Sequence, residues 1–316
     1  MTTCQELWVE RSNLRNNKIV NRSLDDISQG QVLVAIDKFG LTANNVTYGV
    51  TGDAIGYWKF FPADGPWGIV PVWACGSVIE SQSNDIKVGE RLWGFFPMSS
   101  HVVLTPGKIR DDQFTDVIEH RAKLPALYNH YRRTAAEPEV LTKMEDERCL
   151  LFPLFATSFA LSDFLIHHDF FEAKQVIIGS ASSKTAFGLA QLLSSDESVS
   201  QKVIGVTSAG NEEFVRNLGI YHEVIVYGDE SKLDAGVKTD YVDMSGDVDL
   251  TTRLHEHFKE NLVNSCMVGA THWENRGPIN KLPGAKPTFF FAPGHIGKRD
   301  EELGKGTMMK RGMMAG

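Results

Sequence analysis

The run Gly179-Ser180-Ala181-Ser182-Ser183-Lys184-Thr185-Ala186 has the residue types of a phosphate-binding turn: small side chains, hydroxyls and a lysine just ahead of a helix-forming stretch. A helix beginning near Lys184 aims its free N–H groups and the positive end of its dipole forward, an arrangement that stabilises an anion. Small residues let a ligand approach the backbone closely, a role glycine usually fills. Here Ser and Ala replace most of the glycines, so the G-x-G-x-x-G fingerprint is absent and hydroxyls must supply hydrogen bonds in its place, with Lys184 adding charge. A nucleotide-triphosphate P-loop does not fit, because G-x-x-x-x-G-K-[ST] requires one more residue and a glycine before the lysine. The alternative without a ligand is a polar helix cap, for which Ser and Thr are ordinary choices.

A second group lies at Gly205-Val206-Thr207-Ser208-Ala209-Gly210. A site for NAD(H) usually places an acidic residue there to accept from the adenosine ribose hydroxyls. Thr207 and Ser208 instead leave space for a 2′-phosphate and can hydrogen-bond it, which favours NADP(H) over NAD(H), although Glu212 and Glu213 follow closely. Among the histidines, His167 and His168 are adjacent and point about 100° apart on a helix, so they do not share a site. His255 and His257 have the same difficulty, and His272 beside Trp273 is the better candidate, its alternative being a loop residue packed on the indole.

Elements must hold these groups in place. Residues 175–178 (QVII), 202–206 (KVIGV), 223–226 (EVIV), 240–244 (DYVDM) and 265–269 read as short apolar strands, alternating with helices over 185–193, 211–218 and 250–260. Continuous apolar strands between helices are what a parallel sheet covered on both faces requires, and such sheets bind ligands at the carboxyl ends of their strands. A helix over 156–171 precedes them. The first hundred residues are β-rich instead: 31–38, 70–80 and 101–104 read as strands, and Val88-Gly89-Glu90 forms a turn within 85–96, which together suggest a small barrel. Residues 111–147 are charged and helix-tolerant, and Tyr128, His130, Tyr131, Arg132 and Arg133 suit either a lid or a solvated helix.

Composition narrows the functions. A chain of 316 residues suits two domains, and a formal net charge of -8 with no Lys/Arg run argues against nucleic acid or an anionic membrane as partner. No basic leader and no apolar run near the roughly 18 residues of a membrane span is read, so the cytoplasm is expected. Cys4, Cys75, Cys149 and Cys266 contain no C-x-x-C pair, which removes a zinc ribbon and a disulfide framework and predicts four reduced thiols.

Several pieces then stand in a telling order: VLVAIDKFGLTANN (32–45), GSVIESQSNDIKVGERLWGF (76–95), LFATSFAL (154–161), VIIGSASSKTA (176–186), VIGVTS (203–208), LGIYHEVIVY (218–227) and VDMSG (242–246). Their sequence and separation resemble the medium-chain dehydrogenase/reductase superfamily, in its zinc-independent, quinone-reductase-like part. With THW (271–273) and FFFAP (289–293) they look like a branch of unknown function. The resemblance implies an α/β protein with an N-terminal GroES-like β-barrel domain over 1–150, carrying an insertion at 111–147 and completed by 290–316. A Rossmann-type doubly wound parallel sheet would occupy 151–289. It also implies that Gly179, Ser180, Ala181, Ser182, Ser183, Lys184 and Thr185 contact a pyrophosphate, that Thr207 and Ser208 meet the adenosine ribose, and that Tyr227 lies on the adenine side. Thr157 and Val268, Gly269 and Thr271 would flank the nicotinamide, with Met244 and Gly246 near its ribose.

The alcohol-dehydrogenase branch places a zinc-binding cysteine where this chain has Leu41-Thr42-Ala43-Asn44-Asn45, so metal catalysis is not expected. Hydride transfer without a metal needs hydrogen-bond donors at the substrate oxygen. By resemblance Asn45 and Tyr48 lie in the loop facing the nicotinamide and are the expected catalytic pair, Tyr48 having a packed aromatic as its alternative. The expectation is an NADP(H)-dependent reductase of a small carbonyl, quinone or activated double bond, in a homodimer by analogy with the superfamily. The competing expectation is a cofactor-binding protein without turnover, to which the altered glycine motif and the short Gly- and Met-rich tail also point.

Overall fold

The computed structural model describes residues 2–269 and 282–315. Two compact units divide the chain, Met1–Pro153 and Leu154–Gly316.

The first unit is antiparallel. Its strands are β1 (Thr3–Glu10), β2 (Asn13–Ser23), β3 (Val32–Gly40), β4 (Trp67–Gly68), β5 (Pro71–Ser81), β6 (Arg91–Pro97), β7 (His101–Leu104), β8 (Pro106–Gly107), β9 (Gln113–Asp116) and β10 (His130–Arg133). They form a three-stranded sheet β2-β1-β4 and a seven-stranded sheet β7-β3-β5-β6-β10-β9-β8. Register shifts in the β3–β5 pair, between Leu33 and Val34 and between Ile36 and Lys38, bend the larger sheet as bulges do, which gives the unit its barrel-like curl. Aromatic residues from β5, β6 and the segments around them fill it.

Residues 111–147 depart from the helical expectation. They supply β8's partner β9, then β10, short 3-10 turns and a single five-residue helix, Glu139–Lys143. The physical reason is Arg121, only 1% exposed. Its guanidinium donates to Asp116 Oδ2 at 2.9 Å, Asn129 Oδ1 at 2.9 Å, Tyr131 Oη at 3.0 Å and the Tyr128 carbonyl at 2.7 Å. A buried cation needs such a complete set of acceptors. The charge that suggested a solvated face therefore organises an interior.

The second unit carries β11 (Gln175–Gly179), β12 (Lys202–Thr207), β13 (Glu223–Val226), β14 (Thr239–Asp243), β15 (Leu262–Met267) and β16 (Thr288–Phe289). All its pairings are parallel, in the order β13-β12-β11-β14-β15-β16. Counted from the first strand of the unit this is 3-2-1-4-5-6, the order of doubly wound dinucleotide-binding sheets. Alternation explains the two cores. Val176 and Ile178 pack with Leu161, Leu165, Leu189 and Leu193, while Ile177 faces the other way with Leu250, Leu254 and Phe258.

The helix Glu145–His167 has 23 residues and a mean hydropathy of 1.9 over its most apolar stretch, so it is long and apolar enough to cross a membrane by length and composition. That corrects the expectation that no such run exists. Ala160, Leu161 and Leu165 from it are buried in the core of the second unit, which accounts for its apolar character. Asp163 on the same helix accepts from His295 Nε2 and Arg299 Nε, both at 2.8 Å. These bonds dock the helix Ala292–Leu303 within the second unit, which also holds the helix Thr307–Ala315, whereas the expectation from sequence joined 290–316 to the first.

Candidate functional site

The expected cofactor residues of the second unit converge on one edge of its sheet. Gly179 ends β11, Thr207 ends β12 with Ser208 after it, Tyr227 follows β13, Met244 and Gly246 follow β14, and Val268 and Gly269 follow β15. Parallel strands put all of these at the carboxyl side, where the strand order reverses between β11 and β14. Thr157 sits on the long helix next to Ser158, whose hydroxyl donates to the Thr185 carbonyl at 2.9 Å and so packs that helix on the start of the next. Thr271, His272 and Trp273 lie outside the described residues.

The turn after β11 is built by specific bonds. Ser180 takes a left-handed backbone with φ of 53°, and the Ser183 amide donates to its carbonyl at 2.8 Å. The Ala181 amide donates to the Val206 carbonyl at 3.0 Å, tying the turn to β12. Tyr221 Oη donates to the Ala181 carbonyl at 2.9 Å. Burial pushes the Tyr227 hydroxyl above its ordinary range, with hydrogen bonding to Ser180 acting the other way. Ser183 is the N-cap of the helix Lys184–Ser195, its Oγ accepting from the Ala186 amide at 3.3 Å. Ser182 Oγ accepts from Asn211 Nδ2 at 3.1 Å.

Those two acceptor bonds decide what the serines can do. A hydroxyl that already accepts from a fixed donor keeps its own proton to donate. Ser182 and Ser183 therefore offer O–H donors beside the first amides of the helix, which have no partner within it. A diphosphate is matched by this set of hydroxyls, amides and the Lys184 side chain, so the residues present fit the expected group. Thr207 adds an orphan: its Oγ1 is buried at the tip of β12 without a hydrogen-bond partner among the described residues.

After β14 the chain turns on Asp243. Its Oδ1 accepts from the amides of Ser245 at 2.8 Å and Gly246 at 3.0 Å, and Gly246 adopts a φ of 71°. Burial raises the Asp243 carboxyl above the usual range, against the pull of those amides. Val268 and Gly269 donate their amides to the Asp243 carbonyl at 2.8 and 3.3 Å. A Cβ at Gly269 would overlap the Met244 carbonyl, so this approach of two strand ends requires glycine.

In the first unit, Thr42 caps the helix Ala43–Val50, and Asn45 completes the capping box by accepting from the Thr42 amide at 2.7 Å. Asn45 Nδ2 donates to the Pro71 carbonyl at 3.0 Å. Both ends of its amide thus hold the loop together. Tyr48, one turn on, is 5% exposed and its hydroxyl accepts from Trp73 Nε1 at 3.2 Å. Burial pushes its pKa up to about 12. The phenol stays neutral through the ordinary pH range and keeps a proton to donate. Tyr57, which no motif singled out, and Tyr128, expected as part of a lid or a solvated helix, share a hydrogen bond of 2.9 Å beside it. Tyr221 and Asn211 were missed because each acts through a bond between distant segments, whereas Asp243 turns the chain through local bonds that no motif marks. Among the described residues no group of three His, Cys, Asp or Glu side chains is placed to hold a metal ion.

The family described as "Protein of unknown function (DUF2855)" matches residues 39–315. No curated protein matches the sequence significantly. Among solved structures, CurA from Vibrio vulnificus in complex with NADPH is similar at 12% identity with a TM-score of 0.61, covering 97% of this chain and 87% of that one. A mutant form of enoyl thioester reductase from Candida tropicalis is similar at 11% identity with a TM-score of 0.57, covering 99% of this chain and 88% of that one. At such identities the likeness establishes the fold alone, which this chain shares with those two structures.

Proposed function

From the premise that this chain belongs to the DUF2855 family of proteins of unknown function, we propose that it is a zinc-independent, NADP(H)-dependent oxidoreductase. It reduces a small carbonyl, quinone or activated double bond. The observation that carries this reading is the turn after β11, where Ser182 and Ser183 each accept a structural bond and keep a proton for an anion in front of a helix. A nicotinamide coenzyme, when bound, supplies the hydride. Gly179 to Thr185 hold the diphosphate, Thr207 and Ser208 meet the adenosine ribose and its 2′-phosphate, and Tyr227 lines the adenine side. Thr157, Met244, Gly246, Val268 and Gly269 surround the nicotinamide half. The 2′-phosphate preference rests on hydroxyls at the tip of β12 in place of a carboxylate. CurA from Vibrio vulnificus, a similar structure, was solved in complex with NADPH, which supports that preference.

Tyr48 is the proposed hydrogen-bond donor to the substrate oxygen as negative charge develops there, a task suited to a phenol that stays neutral. Asn45 is a positioning residue: its amide fixes the loop that carries Tyr48. Titrating NADPH fluorescence with the protein, then following NADPH consumption over quinones and enones, tests the reading. Saturable binding with turnover supports it, and failure to bind either nicotinamide coenzyme refutes it. One observation favours a second reading, a coenzyme-binding protein without turnover: the Tyr48 hydroxyl is buried and already bonded to Trp73. Tight binding with no consumption across the panel would decide for that reading.

A further inference from the structure

Two cysteines that lie 74 residues apart in sequence meet inside the first unit. Cys75 is on β5, Cys149 is on the helix Glu145–His167, and their Sγ atoms are 3.9 Å apart in a buried setting. The approach is firmly held. Glu145 accepts from Arg91 at 2.6 and 2.8 Å and pairs with Lys38 at 3.2 Å, which pins the start of the helix to β3 and β6. Arg148 donates two bonds to Glu137, at 2.5 and 2.8 Å, and its guanidinium lies 4.0 Å from the Trp93 ring centre. Gly40 lets β3 come so close that a Cβ there would overlap the Cys149 carbonyl. The other cysteines are placed differently: Cys4 donates to the His101 carbonyl at 3.4 Å, and Cys266 lies on β15 in the second unit.

We propose that Cys75 and Cys149 are a redox modification site, closing to a reversible disulfide when a hydroperoxide reaches them. Cys149 is the attacking sulfur. The hydrogen bond from Cys75 lowers its thiol pKa against the cost of burial, with the Arg148 guanidinium helping. Its thiolate attacks the peroxide oxygen, so an S–O bond forms, the O–O bond breaks, and the alcohol leaves carrying the proton that Cys149 released. The Cys75 sulfur then attacks the Cys149 sulfenic acid. The S–S bond forms, the S–O bond breaks, and the hydroxide leaves as water with the Cys75 proton. Two thiols lose two electrons in all, and one hydroperoxide is reduced to alcohol and water. The sulfurs need to close by roughly 2 Å to reach bonding distance, a movement open to side-chain rotation with a small shift of the helix start. Trp93 is the cross-strand partner of Cys75 and stacks on Trp73 at 4.7 Å, so the closure also disturbs an indole pair.

The test uses the folded full-length chain, hydrogen peroxide as the oxidant and mass spectrometry under non-reducing conditions. All four cysteines start free. The proposal expects free thiols to fall from four to two, the intact mass to fall by about 2 Da, one cross-linked peptide pair joining Cys75 to Cys149, and full reversal by dithiothreitol. Tryptophan emission should change in step with the mass. In Cys75→Ser, which keeps a hydrogen-bond donor beside Cys149 but no second sulfur, the reaction should halt at a Cys149 sulfenic acid that dimedone captures. Four free thiols after peroxide doses that oxidise glutathione, a link through Cys4 or Cys266, or a link formed only after unfolding in urea would each overturn it. The wild-type peptide map decides the matter even where the variant folds poorly.

Discussion

Asp240 offers the sharpest test of how this fold treats a charge. It sits on β14 opposite Asn264 in the parallel register, with no exposed surface, and the carboxylate accepts from Asn264 Nδ2 at 3.1 and 3.2 Å. One amide group does not replace the water such a group loses, and burial raises its pKa from 3.8 to about 7. The native state therefore holds on to a proton that the unfolded chain releases near pH 4. Stability is then greatest below the unfolded pKa and declines as pH rises towards 7, because the carboxylate must ionise in the interior. A shift of about three pH units at 1.36 kcal/mol per unit makes the loss about 4 kcal/mol, complete above pH 7. Asp240→Asn keeps the size and hydrogen bonding but cannot ionise. Subtracting the wild-type unfolding free energy from that of the variant removes the contributions of all other carboxyl groups, including Glu145, whose pKa is lowered by Arg91 and which works in the opposite sense. The variant should be close to wild type at pH 4 and more stable by up to about 4 kcal/mol at pH 8. Urea titrations between those limits measure the difference. A difference that stays flat across the range, or grows towards acid, would refute the reasoning.

Tyr48→Phe should lower turnover on any accepted quinone or enone by roughly 10²-fold while leaving NADPH affinity nearly unchanged, as expected of a lost donor at a developing oxyanion. The same change removes the acceptor of Trp73 Nε1, so thermal unfolding should show a loss of about 1–2 kcal/mol. Ser183→Ala should cost about 1 kcal/mol as a lost N-cap and weaken NADPH binding by roughly tenfold, with Ser183→Thr restoring both; fluorescence titration at equal ionic strength reads the affinity. Arg121→Met should destabilise the first unit by about 3–5 kcal/mol at neutral pH, because Asp116, whose carboxyl pKa burial already raises and Arg121 lowers, is left buried without its counterion; chemical denaturation followed by circular dichroism measures it. Gly40→Ala should cost roughly 1–3 kcal/mol through overlap with the Cys149 backbone, visible as a lower Tm.

The second unit was the legible half. Strands buried on both faces must be continuously apolar, and QVII, KVIGV and EVIV announce themselves in that way; the observed strands β11, β12 and β13 differ from expectation by at most a residue at one end. The first unit was harder. In β2 (NLRNNKIVNRS) and β10 (HYRR) few side chains are apolar, and what makes them strands is pairing with β1 and with β6 and β9, information held by distant segments. The charged segment 111–147 misled for a related reason: a charged residue such as Arg121 advertises solvent until the acceptors that enclose it are known. Within the candidate site, the residue types at the strand tips could be read from order and spacing. Which hydroxyls would accept and which would donate could not, since Asn211 and Tyr221 reach the turn from other parts of the chain.

The scarcity of glycine in the turn after β11 has a consequence for kinetics. Between Gly179 and Ala186 no further glycine occurs, so the unfolded segment samples fewer backbone states than a three-glycine loop and gives up less entropy when it orders. Ser180 holds its left-handed torsion at a strain of roughly 1 kcal/mol, which the surrounding bonds must outweigh. The loop's own hydrogen bonds are made before anything arrives. A partner entering it finds its contacts already arranged, so its rate of capture would follow diffusion and charge instead of waiting on a search among loop shapes.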